Sequence, residues 1–257
     1  MTVSNQSIAR AFDRAADTYD TAASIQRRLA ERLVEGIPSL SGNILDIGCG
    51  TGLVFDCLPA VSATIRLTGI DIAPLMLKQA YRKHPHASFI TASSEALPFD
   101  DNSFNTILSS AALQWAQPFH QSLHEIIRVL KPGGTFHCAF FTEGTLEELY
   151  DAFAAVCDEN IRIHTYPTRN DANAFFSQYS LRAYTDEVFS LTEWYSDIPA
   201  LLRNLKLTGV ASNRKAQKQL LFSRSRITVM ETVYRRKYST SHELPATYNC
   251  CIIRGKL

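Results

Sequence analysis

Three glycines, Gly48, Gly50 and Gly52, alternate with other residues directly behind the apolar stretch Asn43-Ile44-Leu45-Asp46-Ile47. At that spacing a chain can turn tightly and let a ligand come closer than any Cβ would permit. One acid, Asp46, lies inside the apolar stretch, and a second, Asp71, closes the next one 23 residues after Gly48. A carboxylate in the second place can accept both hydroxyls of a ribose. The dinucleotide fingerprint GxGxxG is not met, because position 53 is Leu. A pyrophosphate would be repelled by Asp46, whereas a ligand with a cationic ammonium group would be drawn to it. The loop therefore reads as the seat of a nucleoside with a positively charged end.

A loop of this kind works only where a strand hands over to a helix. Residues 43–47, 65–70, 87–91, 104–109 and 135–141 read as strands, and 53–58, 73–83 and 119–130 as helices, the last stopped by Lys131-Pro132-Gly133-Gly134. Alternation of the two implies an α/β fold with a parallel sheet covered on both faces, and it puts the glycine loop at the carboxyl edge. Residues 5–36 read as helix broken near Asp20-Thr21, with Ile8, Phe12, Ala15 and Tyr19 on one apolar face. Further helices are expected at 145–157, 197–207 and 213–237, with strands near 187–191 and over 248–254. The expected organisation is a single domain: an N-terminal helical cap (1–42), an α/β core (43–144), a mixed helical substrate or lid region (145–243) and a final sheet strand (244–257).

Composition narrows the setting. The 257 residues carry 26 Lys+Arg against 25 Asp+Glu, and 46% are hydrophobic, which is globular and not disordered. No apolar run approaches the roughly 18 residues that span a bilayer, and the polar start reads as no secretory signal. Six cysteines, with no CxxC, suit a reduced cytoplasmic protein. Near-neutrality hides an asymmetry: Arg203, Lys206, Arg214, Lys215, Lys218, Arg224, Arg226, Arg235, Arg236 and Lys237 face a single acid, Glu231, in the same stretch. That stretch is either a solvated helix face or a docking surface for an acidic partner.

The segment LDIGCGTG, residues 45–52, resembles motif I of class I S-adenosylmethionine-dependent methyltransferases. Ser93-Ser94-Glu95-Ala96-Leu97-Pro98-Phe99 is similar to the segment usually written GDAxxLPF, with Ser93 where the aspartate stands. Residues 8–20 with Gln26, 110–115, 204–210 and 244–248 resemble, in order, four stretches of the malonyl-[acyl-carrier protein] O-methyltransferases of biotin synthesis, with Asn204 and Val210 as departures. The resemblance implies a Rossmann-like, mostly parallel seven-stranded sheet. It implies S-adenosylmethionine held by Tyr19, Asp46, Gly48, Cys49, Gly50, Gly52, Asp71, Ile72, Ser93, Ser94, Glu95 and Ser110, the adenine meeting backbone groups of Ser94 and Glu95. The activity implied is methylation of the free carboxylate of a malonyl thioester, on acyl-carrier protein or coenzyme A, starting pimelate synthesis. The acidic carrier protein would then dock on the basic 203–237 stretch.

A carboxylate is ionised at neutral pH, so such a transfer needs alignment and dryness more than a general base. Tyr19 is the expected orienting donor. Arg203 and Lys206, three apart on a helix, are expected to supply a cation to the same place, and Trp115 a wall. His120 and His124 leave Glu125 outside the pair, so no HExxH metal site is expected. Methylation of a free polycarboxylic acid or a quinone, a silent S-adenosylmethionine-binding module and a nicotinamide oxidoreductase stay open as alternatives. Neither a membrane nor a nucleic-acid partner is expected, since the basic stretch lacks interleaved aromatics.

Overall fold

The structure is a computed structural model and describes residues 4–60, 62–156, 164–210, 223–239 and 242–257. Its centre is one seven-stranded sheet: β1 (Asn43–Ile47), β2 (Arg66–Asp71), β3 (Ser88–Thr91), β4 (Phe104–Ser110), β5 (Leu130–Phe141), β6 (Ala183–Tyr195) and β7 (Leu244–Lys256). The strand order is β3-β2-β1-β4-β5-β7-β6. The first five strands run parallel, and β7 lies antiparallel between β5 and β6. The order reverses between β1 and β4, the switch point at which ligands enter sheets of this kind.

Successive residues of the central strands feed opposite layers. Cys250 and Ile252 pack with Ile8, Leu29, Leu149 and Leu201, whereas Cys251 and Ile253 pack with Leu123, Ile126 and Phe176. The first layer comes from α1 (Asn5–Ala15), α2 (Tyr19–Ala22), α3 (Ser24–Glu35), α4 (Leu53–Cys57), α7 (Glu147–Ala154), α9 (Ile198–Leu207) and α10 (Arg224–Tyr238). The second is built on α6 (Phe119–Val129) and α8 (Arg169–Phe176), with α5 (Pro74–Lys83) against β2 and β3. Adjacent cysteines thus serve opposite faces, as the two-residue period requires.

Four sequence expectations need correction. The cap breaks twice rather than once: Thr18 bonds the Ala15 carbonyl through both its backbone N–H (2.9 Å) and its hydroxyl (3.1 Å), which closes α1 in a turn. Tyr19 therefore opens α2 instead of extending the apolar face of α1. Lys131-Pro132-Gly133-Gly134 is no separate turn; β5 begins at Leu130, and the register shift between Phe104 and Thr106 absorbs these residues as a bulge. The strand near 187–191 extends over Ala183–Tyr195, every residue paired with β7, so the 145–243 region supplies a sheet edge as well as helices. Of the helices expected at 145–157 and 213–237, residue 157 and residues 213–222 lie outside the described residues.

Phe136 on β5 is fully buried and stacks on Phe176 of α8 at 4.6 Å and 15°. Phe136→Ala is expected to cost about 3–5 kcal/mol of unfolding free energy, read from the shift of the urea midpoint at unchanged slope.

Candidate active site

At the end of β1 the chain turns through Gly48 (φ 70°) and Gly50 (φ 53°). A Cβ on Gly48 would stand 2.2 Å from the Cβ of Ala112, so the turn after β4 is seated against the loop at a distance only glycine allows. A Cβ on Gly50 would meet no atom within 4 Å, because that face of the loop opens into a cleft. The loop is held from β2: Asp71 accepts the Gly50 N–H at 2.9 Å through one carboxylate oxygen and the Ala73 N–H at 2.8 Å through the other.

The cleft holds about 840 Å³ of empty space, the solvent at its mouth included. Gly48, Cys49 and Gly50 form one wall; Asp71 and Ile72 a second; Ser94 and Glu95 a third; Ser110, Ala111, Ala112 and Trp115 a fourth. Helices α1–α3 roof it with Ile8, Phe12, Tyr19 and Gln26. Three aspartates fasten that roof. Asp13 accepts the Leu75 N–H at 2.8 Å, Asp17 the Gln79 amide at 2.5 Å, and Asp20 the Thr51 hydroxyl at 2.5 Å and Lys83 at 2.9 Å.

The floor is acidic. Asp46 is wholly buried, and neither of its oxygens has a hydrogen-bond partner among the described residues. Burial first, and the nearby Asp71 second, push its carboxyl well above the ordinary range. Asp71 is raised from 3.8 to about 6 by its enclosure, against the pull of the Ala73 and Gly50 N–H groups. Burial and both acids push the Cys49 thiol up, which makes it a packing residue and not a nucleophile. The Tyr19 hydroxyl is raised as well, by burial, Asp71 and Asp20, and stays a hydrogen-bond donor at all working pH values.

The third wall is fixed from below. Glu95 accepts the hydroxyls of Ser93 and Ser94 and the Gln117 N–H (2.9 Å); burial pushes its carboxyl up, but these bonds outweigh it and hold the group low. Buried Glu125 accepts the Leu97 N–H at 2.6 Å and pairs with Arg128, whose guanidinium also reaches the Leu97 and Phe99 carbonyls at 3.0 and 2.7 Å. Trp115 packs edge-on to Phe12 (5.6 Å) and against His164 (4.4 Å), whose imidazole burial lowers to about 4 and so keeps neutral. A second, smaller chamber shares Phe12, Tyr19, Gln26, Ala111 and Trp115 with the cleft and adds Gln114, Tyr166, Thr208 and Tyr248.

Of the residues singled out in the sequence, Tyr19, Gly48, Cys49, Gly50, Asp71, Ile72, Ser94, Glu95, Ser110 and Trp115 line the cleft. Asp46 lies beneath it, Gly52 faces His84 instead, and Ser93 acts through Glu95. Arg203 and Lys206 do not reach it. Helix α9 turns Ile198, Leu201 and Leu205 to the core, so the face that carries the two cations is exposed. Sequence reasoning missed Asn5, Met76, Gln114 and Tyr166; of these only Gln114, inside the quoted 110–115 stretch, carried a signal.

This fold and this loop define a methyltransferase: a family profile described as "Methyltransferase domain" matches residues 45–138. The YcgJ protein from Bacillus subtilis, 19% identical, shares the fold with a TM-score of 0.59 over 90% of this chain and 97% of its own. A malonyl-[acyl-carrier protein] O-methyltransferase of Halorhodospira halophila is 30% identical over 96% of this chain and 85% of its own length. Another, from Serratia marcescens, is 32% identical over 91% and 89%. The chain belongs to the malonyl-[acyl-carrier protein] O-methyltransferase family.

An acid whose folded pKa is raised is penalised by the fold once the unfolded chain, near 3.8, has released its proton. Asn has no proton to lose, so the melting temperature of Asp46→Asn should gain on wild type by up to roughly 3 °C per pH unit until the folded carboxyl itself ionises, in ligand-free protein scanned from pH 5 to 8. A constant difference across the range would exclude an Asp46 carboxyl raised by the fold.

Proposed function

We propose that this chain transfers the methyl group of S-adenosylmethionine to the free carboxylate of malonyl-acyl-carrier protein, giving the methyl ester that starts pimelate synthesis for biotin. Membership of the family carries this reading. The site supports it on separate grounds. Asp46, buried and without a partner, asks for a cationic ligand group nearby, and the open face of Gly50 leaves room for one. Asp71 has spent one lone pair of each oxygen on the backbone and keeps the others for a ribose diol. The amino-acid end of S-adenosylmethionine and its ribose match these two demands, and Ser94 and Glu95 would flank the adenine.

When bound, S-adenosylmethionine supplies a sulfonium methyl; transfer makes an O–C bond as the S–C bond breaks, the electron pair stays on sulfur, and no proton moves. The chain's own task is then to hold, align and dry the reactants. Tyr19 would orient from the roof, while Phe12 and Trp115 exclude water from the side. The three aspartate anchors of the cap keep that roof closed over the floor.

The carrier protein would be met by the basic stretch. Among the described residues Arg203, Lys206, Arg224, Arg226 and Arg236 make no ion pair, whereas Arg235 is bound to Glu231 and Lys237 to Asp151. Arg214, Lys215 and Lys218 lie outside the described residues. Five unpaired cations on α9 and α10 suit an acidic protein, whose encounter they would accelerate.

The test is methyl transfer from labelled S-adenosylmethionine to malonyl-acyl-carrier protein, malonyl-coenzyme A and free malonate side by side. Label is expected on both thioesters and most on the carrier protein. The double charge reversal R224E/R226E should lower kcat/KM for the carrier-protein substrate by about tenfold at low salt, with little change for malonyl-coenzyme A. Label on free malonate alone would replace this reading with methylation of a small acid.

A further inference from the structure

The smaller chamber deepens that reading and rests on it. Among the described residues no Lys, Arg or His lines it. Its wall still holds hydrogen-bonding groups that nothing in the fold uses. Gln26 is 7% exposed, and its side-chain amide bonds no described residue. The Tyr166 hydroxyl likewise has no hydrogen-bond partner among the described residues. Gln114, 4% exposed, donates to the Ala111 carbonyl at 2.8 Å, which orients its amide and leaves its oxygen buried and unpaired. Buried polar groups in native proteins are almost always satisfied. The Gln26 amide and the Tyr166 hydroxyl are donors left open on this chamber, which shares five wall residues with the cofactor cleft, and they suit a ligand that accepts hydrogen bonds; the free oxygen of Gln114 takes a donor instead.

We infer that Gln26 and Tyr166 receive the methyl-accepting carboxylate through neutral N–H and O–H donors. The chemistry favours such an arrangement. Methylation cancels a negative charge on oxygen against a positive charge on sulfur. A guanidinium on the carboxylate would stabilise the charged ground state more than the half-neutralised transition state and would slow the step. Neutral donors orient the anion and fix which oxygen faces the methyl, with less of that penalty. The same pair explains selection among acyl groups. An acetyl thioester has no carboxylate to offer, so both donors would be left without that partner, a loss that discriminates more sharply than a missing methylene.

Tyr166 lines the chamber but not the cofactor cleft, which makes Y166F the cleaner variant; Q26E, equal in size, turns a donor into a like charge. Two measurements are needed on the full chain. Steady-state kinetics would use malonyl-coenzyme A, and calorimetry would compare malonyl- with acetyl-coenzyme A binding to protein saturated with S-adenosylhomocysteine. Y166F is expected to raise KM for malonyl-coenzyme A about tenfold with kcat within about twofold, and Q26E to lower kcat/KM about a hundredfold. S-adenosylhomocysteine affinity should be unchanged in Y166F. The wild-type preference for malonyl over acetyl should collapse in both, a readout that general loosening of the chamber would not move. A preference that persists in Y166F and Q26E, or that collapses in Arg203→Ala instead, overturns the inference while leaving the methyltransferase reading intact. Wild-type protein that methylates no malonyl thioester removes that reading, and this inference with it.

Discussion

The carboxylate of Asp71 is the contact on which the site is built. It draws the Gly50 N–H from the loop after β1 and the Ala73 N–H from the start of α5 onto one group, at 2.9 and 2.8 Å. Two chain segments that follow the parallel strands β1 and β2 are thereby fixed at the ends where the sheet stops. Everything else is referred to that edge: Gly48 is pressed to Ala112, the fourth wall follows from β4, and α5 offers its first turn to Asp13 of the cap. Because Asp71 is already occupied on one side, only its remaining lone pairs face the cleft, which narrows what it can recognise.

That arrangement is costly without a ligand. Two carboxyl groups are both pushed upward by burial, Asp71 adds to the rise at Asp46, and Asp46 has no hydrogen bond among the described residues. Strain of this sort concentrates at functional sites, and a cationic ligand that neutralises it returns the energy as affinity. The chamber next door makes the opposite choice, with no charge on its described walls. On the reading proposed above, Asp46 meets the ammonium end of the cofactor, and the uncharged chamber leaves the sulfonium as the counter-charge of the substrate carboxylate.

How far the sequence spoke varied with the range of the interaction. The glycine loop, Asp46 and Asp71 were legible because a strand, a turn and a helix within thirty residues encode them through local geometry alone. The alternation from β1 to β5 was legible for the same reason. Arg203 and Lys206 show where such reasoning stops. Their spacing correctly places them on one face of α9, but only the packing of Leu201 and Leu205 says that the face is the outer one. Tyr19 was placed on the right side of the cap through the wrong element, since the hydroxyl of Thr18 ends α1 before the period reaches it. The reach of β6 escaped notice because an edge strand with many polar residues shows no clean alternation, and its thirteen pairs come from β7.

By itself, then, the sequence determined the class of fold, the glycine loop at the carboxyl edge and the acids Asp46 and Asp71, because each is written in residues close along the chain. The tertiary structure alone decided what stands opposite them. Gln26 from the cap, Gln114 from the turn after β4 and Tyr166 from the segment before α8 meet in one chamber only once sheet and helices have packed. No periodicity links positions so far apart, and only the folded chain brings them within reach of one substrate.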